Sequence, residues 1–118
     1  MRSYLMAGVL AAGVLGFAAT ALEGEYTGPS GTKIVFDDGV IHVTPVEGPA
    51  FDDTYEIDRD TLSVTSSDAD ANCPGVVGTY TFEESETGAT FTLVEDTCQP
   101  RIADATSGEW VKTQAEDE

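Results

Sequence analysis

The sequence predicts an all-β domain, a small up-and-down antiparallel barrel of about eight short strands carrying one disulfide, and three observations predict it. Apolar and polar residues alternate with period two along most of the chain. Clusters of Gly, Asp, Pro and Ser interrupt the alternation at short intervals. Beyond residue 21 no window keeps a helical period. Alternation gives each strand one buried and one wet face. A flat eight-stranded sheet would leave one face half covered and two edges open, whereas closure into a barrel removes both problems. A two-sheet sandwich is the alternative.

Residues 1–21 read as an export signal. Arg2 gives a weakly positive start, an uncharged apolar stretch follows, and Ala19 and Ala21 occupy the small-residue positions of a cleavage site. The rival reading is an uncleaved anchor, since the apolar run approaches a spanning length. The Gly-rich interior and small terminal residues favour cleavage, which directs the domain, 22–113, to the periplasm or the extracellular space.

The strands follow in order. At 24–28, "GEYTG" places Tyr26 inward. "TKIVF" at 32–36 puts Ile34 and Phe36 on one face, and "DDG" makes a tight hairpin turn. "VIHVT" continues with Ile41 and Val43 inward. After a loop at 45–53, "TYEID" presents Tyr55 and Ile57, and "RD" turns the chain into "TLSVTS" with Leu62 and Val64 inward. "GTYTF" offers Tyr80 and Phe82, "ATFTLV" offers Phe91 and Leu93, and "GEWVK" brings Trp110. The last residues, 114–118, form an acidic tail expected to be disordered. Strands of five or six residues span about 17–20 Å, and this inward set can fill an eight-stranded barrel to normal density. A shallow pocket at one mouth is the most that this packing predicts.

Cys73 and Cys98 are the only cysteines, and in an exported chain two cysteines read as a disulfide. Closing that loop contributes about 3.5 kcal/mol on the chain-entropy model. Charge sets further limits. Without the signal, Lys33, Arg59, Arg101 and Lys112 stand against 22 acidic residues, a net of −18. Phosphate contacts need clustered Lys and Arg, so nucleic-acid binding is excluded, and anionic membranes would repel the domain. Solubility, in saline surroundings for example, explains such acidity; a basic or multivalent cationic partner is the sharper explanation.

The stretches "GEY" and "C…GTYTF…FTLVEDTCQPR…GEW" resemble small exported bacterial lipocalin-like (calycin) barrels. The resemblance covers most of residues 24–112, with Tyr in place of Trp in the first motif and a chain shorter than a ligand-carrying lipocalin. It implies that Arg101 packs across Tyr26 to close one end of the barrel.

Several stretches suggest chemistry. Asp68, Asp70 and Asn72 alternate like the first ligands of a calcium loop, but Cys73 stands where Gly is needed and Thr79 where a bidentate Glu is needed. A polar inter-strand loop is the alternative reading. Any calcium would be shared with Glu95 or Asp96 across the disulfide; otherwise no cofactor is expected. "GPSGTK" departs from a phosphate loop, which ends Gly-Lys-Ser/Thr and opens a helix. His42 points outward by parity, no serine sits in a nucleophile elbow, and Asp37-Asp38 and Asp52-Asp53 read as turn residues. The expectation is therefore a monomeric, non-catalytic domain that binds a small apolar molecule at the barrel mouth with Tyr26, Tyr55, Tyr80 and Trp110. The alternative is an inhibitor or interaction protein for a basic hydrolase such as lysozyme, using loops 45–53 and 68–76.

Overall fold

A computed structural model describes residues 22–67 and 73–113. The expected signal 1–21, the expected tail 114–118, and the candidate ligands Asp68, Asp70 and Asn72 lie outside the described residues. Eight strands follow in chain order: β1 Gly24–Thr27, β2 Lys33–Asp37, β3 Val40–Thr44, β4 Phe51–Asp58, β5 Thr61–Thr65, β6 Val77–Glu84, β7 Gly88–Glu95 and β8 Trp110–Lys112. Each pairs antiparallel with the next, and β8 returns to β1 with Lys112 opposite Tyr26 and Val111 opposite Thr27. The barrel is closed, so the sandwich alternative falls away.

Local chemistry explains the elements. Asp38 and Gly39 both have positive φ, 50° and 88°, as the favoured two-residue hairpin between β2 and β3 requires. Alternation directs Phe36, Ile41, Leu62, Val64, Tyr80 and Phe91 into a common core with Leu22, Tyr26, Ala89 and Trp110. Up-and-down order puts the turns at 38–39, 59–60 and 85–87 at one end and the longer connections at the other. At the short-turn end Tyr26 meets Phe36 edge-on at 5.7 Å, and Phe36 meets Tyr55 edge-on at 5.1 Å. Leu22, 1% exposed, completes this closed end.

The structure departs from the sequence reading in four places. The strand expected at 54–58 begins at Phe51, so Asp52 and Asp53 belong to β4 rather than to a turn. Strands β4, β6 and β7 each hold 8 residues, longer than the five or six expected. Leu93 is 40% exposed rather than inward. The register shifts there, with Thr79 opposite Glu95 and Tyr80 opposite Leu93, which leaves Val94 as the extra residue of a β-bulge that turns this end of β7 outward.

The fourth departure is a helix, α1 Gln99–Ala105, where none was expected. Seven residues with no buried position show no periodicity to read, and a helix this short is marginal alone. Pro100 in its first turn favours helix initiation. Tertiary ties supply the rest: the disulfide at Cys98, Arg101 in a buried network, and the Trp110 indole N–H donating to Ala105 O at 3.2 Å. On β7, β8 pairs only with Gly88 and Ala89, and α1 packs beside the rest of that strand.

Candidate functional site

The longer connections surround an open mouth. Beneath it lies a cavity of about 390 Å³, walled by Ile34, Phe36, Ile41, Val43, Leu62, Val64, Phe91 and Trp110. Thr32, Glu47, Phe51 and Asp53 contribute from the β2 to β4 side, and Cys98, Pro100, Arg101, Asp104 and Ala105 from the α1 side. The interior is therefore not filled by its own side chains, contrary to the packing expectation. Longer strands add a layer at the mouth, and several buried residues there are small or polar: Thr32, Asp53, Ser66 and Gly78. Ile34 and Val43 remain half-buried because they face the cavity. Such a volume lies within the ~300–1,000 Å³ of small-molecule sites.

Of the four aromatic residues named for a ligand site, Tyr80 and Trp110 line the cavity and Tyr26 and Tyr55 do not. Those two stack against Phe36 at the closed end. Arg101 is not over Tyr26 either, because α1 sits at the mouth. Lys112 of β8 takes that position, its Nζ 5.7 Å from the Tyr26 ring centre.

Arg101 instead anchors a buried polar network. Its Nε and Nη2 donate to the two oxygens of Asp96 at 2.7 and 2.8 Å, its Nη1 to Ser66 Oγ at 2.6 Å, and its Nη2 also to Val76 O at 3.2 Å. Tyr80 Oη donates to Asp96 Oδ2 at 2.5 Å and the Cys98 amide to Oδ1 at 2.9 Å. Gly78 makes room for this: a Cβ there would overlap the Asp96 carboxylate. Burial alone would push the Asp96 carboxyl up, but hydrogen bonds from Arg101, Tyr80 and the Cys98 amide, with the Arg101 charge, hold it at about 2. Burial and the Asp96 hydrogen bond both push the Tyr80 phenol up, so it stays a donor.

The calcium expectation paired Asp68 or Asp70, outside the described residues, with Glu95 or Asp96; the Asp96 carboxylate is fully buried and accepts four hydrogen bonds, two of them from Arg101. Glu95 is exposed on β7. Among the described residues no three metal-ligating side chains cluster. Comparison with known proteins returns no matching family model, no matching curated protein and no matching solved structure.

Cys73 and Cys98 are bonded, with Cα atoms 5.8 Å apart. The bond ties the β5–β6 connection to the N-terminus of α1, and Cys98 is part of the cavity wall.

His42 faces outward on β3, its Nδ1 2.7 Å from Asp52 Oδ1 and its Nε2 3.2 Å from Asp37 Oδ2. Hydrogen bonds to Asp52 and then Asp37 push its pKa up. A raised value means that this cluster's contribution is fully present below about 6.5 and lost as pH rises through the folded pKa. An NMR titration should place His42 above the ordinary value, and Asp52→Asn should bring it back down.

Asp53, Ser66 and Lys112 were missed in the sequence. Asp53 shares parity with Tyr55 and Ile57, so continuing the alternation two residues upstream would have found it. Lys112 lies two residues beyond Trp110 in β8, whereas the residue expected to close the barrel, Arg101, is in α1.

Proposed function

We propose that this is an exported, non-catalytic, lipocalin-like binding protein that holds a small apolar molecule in the cavity at the barrel mouth. The cavity itself carries the reading: about 390 Å³ walled mainly by aliphatic and aromatic side chains, with polar groups gathered near the mouth. The likeness to lipocalins is supported by the Gly24-Glu25-Tyr26 opening of β1 and by a basic residue of the last strand over its aromatic ring. Export is supported by the disulfide. A binding role without catalysis is supported by His42, whose two ring nitrogens are both engaged by carboxylates on the outer face, away from the cavity.

Native mass spectrometry of protein purified from its own host should retain a small organic molecule. In vitro, Val43→Phe tests the site. Val43 is half-buried against empty volume, so the added ring should cost less than the ~1–3 kcal/mol of overpacking in a filled core. Affinity for the neutral dye N-phenyl-1-naphthylamine should fall about tenfold, or ~1.4 kcal/mol, with the fold intact. Equal dye affinity in the wild type and the variant would remove the cavity as the binding site.

A second reading, capture of a basic hydrolase such as lysozyme, draws on loop 45–50, which sets Val46, 64% exposed, beside Glu47 on a strongly acidic protein. Salt-sensitive retention of lysozyme that is lost on Val46→Ser would favour it.

A further inference from the structure

The shape of the cavity and the rings that wall it bear on what it holds. From Thr32 near the mouth to Phe36 at the floor, the lining advances four residues along the chain. Rises of about 3.4 Å per residue on strands tilted by about 40° make that a depth of roughly 10 Å. Tyr26, Tyr55 and Leu22 fill the barrel below Phe36, so the cavity is blind. Over this depth a volume of about 390 Å³ gives a mean width of about 7 Å. Aromatic rings stand on opposite sides of it: Phe36 on β2 and Tyr80 on β6, Phe51 on β4 and Trp110 on β8. Each pair is four strands apart in a closed ring of eight, and therefore across the barrel axis. The one donor of Tyr80 is given to Asp96, and that of Trp110 to Ala105 O. Both residues thus offer an occupant carbon rather than a polar hydrogen.

We infer that the occupant is a compact fused-ring aromatic molecule of two or three rings, not an extended acyl chain. This deepens the binding function proposed above and rests on it. An apolar cavity of ~150 Å³ accommodates benzene, so a volume of about 390 Å³ suits roughly ten to fifteen non-hydrogen atoms. A single extended chain is too narrow for the width. It leaves a gap to the wall, and a gap of roughly 0.5–1 Å already forfeits a quarter to a half of the contact attraction. A long chain also exceeds the depth, since about 10 Å holds roughly eight carbons at about 1.25 Å each. Any further carbons would stand in water at the mouth. A rigid ring system avoids the cost of ordering a chain, and it meets aromatic faces and edges on both sides.

The test is displacement of bound N-phenyl-1-naphthylamine by neutral alcohols: 1-naphthalenemethanol against octanol, decanol and dodecanol. Transfer from water alone favours the longer alkanols, by about fourfold per buried methylene. The cavity should reverse that order, with 1-naphthalenemethanol binding about tenfold more tightly than decanol. Alkanol affinity should also stop rising beyond roughly eight carbons, where the floor at Phe36 ends the cavity. Phe51→Leu removes one ring and keeps an apolar side chain at a half-buried position. It should weaken 1-naphthalenemethanol about fivefold and leave decanol unchanged. The wild-type comparison stands even if Phe51→Leu fails to fold. Decanol binding as tightly as 1-naphthalenemethanol, affinity that climbs on through dodecanol, or an equal loss of both probes in Phe51→Leu overturns the fused-ring assignment and leaves the apolar site standing. Failure of every alcohol to displace the dye overturns both.

Discussion

Asp96→Ala lowers the stability of the barrel by about 3–5 kcal/mol, as removing one partner of a buried ion pair does. The side chain of Asp96 is 0% exposed and that of Arg101 14%. Without the carboxylate, Arg101 keeps only Ser66 and the Val76 carbonyl for its buried charge, and the Tyr80 hydroxyl and Cys98 amide lose their acceptor. Urea denaturation read by the midpoint at unchanged slope measures this loss. Removing both charges together, as Asp96→Leu with Arg101→Met, should cost less than Asp96→Ala alone, because no unpaired charge remains buried. A double variant as unstable as the sum of its single changes would show that the two side chains act independently, contrary to the geometry.

The same pair sets the acid limit of the fold. Asp96 is held at about 2 against an ordinary 3.8. A depressed value means that its contribution is present above about 4 and lost as pH falls through 2. The difference corresponds to about 2–3 kcal/mol, and Asp96→Asn should flatten that part of the stability curve.

The strands were legible because period two is a property of near neighbours. "VIHVT" against "TKIVF" requires only alternation and an Asp-Gly turn, and closure follows from the problem of open edges. Helix α1 was not legible, since seven residues without a buried position carry no period and are held by distant partners. Arg101 finds Ser66 and Val76 at sequence separations of 35 and 25, distances over which spacing carries no information. Alternation also states which side chains face inward but not whether they meet across the barrel. Nothing in the pattern told Val43, which stays half-buried against the cavity, from Phe36, which is buried in the cavity wall and stacks on Tyr26 and Tyr55. Asp53 was hidden for another reason: two adjacent aspartates look like a turn until the strand around them is extended.

Reduction of Cys73–Cys98, or its replacement by alanine at both positions, should lower stability by about 3.5 kcal/mol, the chain-entropy value for a loop with a sequence separation of 25. For a domain whose total lies in the range ~5–15 kcal/mol this is a large fraction, and a shift in the urea midpoint reads it directly. The structural consequence should be local to the mouth. Cys98 caps the N-terminus of α1 without a side-chain hydrogen bond of its own, and a helix of 7 residues has little intrinsic stability. Freed from Cys73, α1 keeps its contacts through Arg101, Ser30 to Asp104 and Trp110 to Ala105, but its first turn loses its covalent tie. Amide exchange should therefore accelerate in 98–102 while the closed end around Tyr26, Phe36 and Tyr55 keeps its protection. Since Cys98 and Pro100 belong to the cavity wall, dye affinity should fall in the reduced protein under conditions where the barrel is still folded. An unchanged urea midpoint, or exchange that accelerates equally at both ends, would mean that the bond constrains neither the unfolded chain nor the mouth in the way this geometry requires.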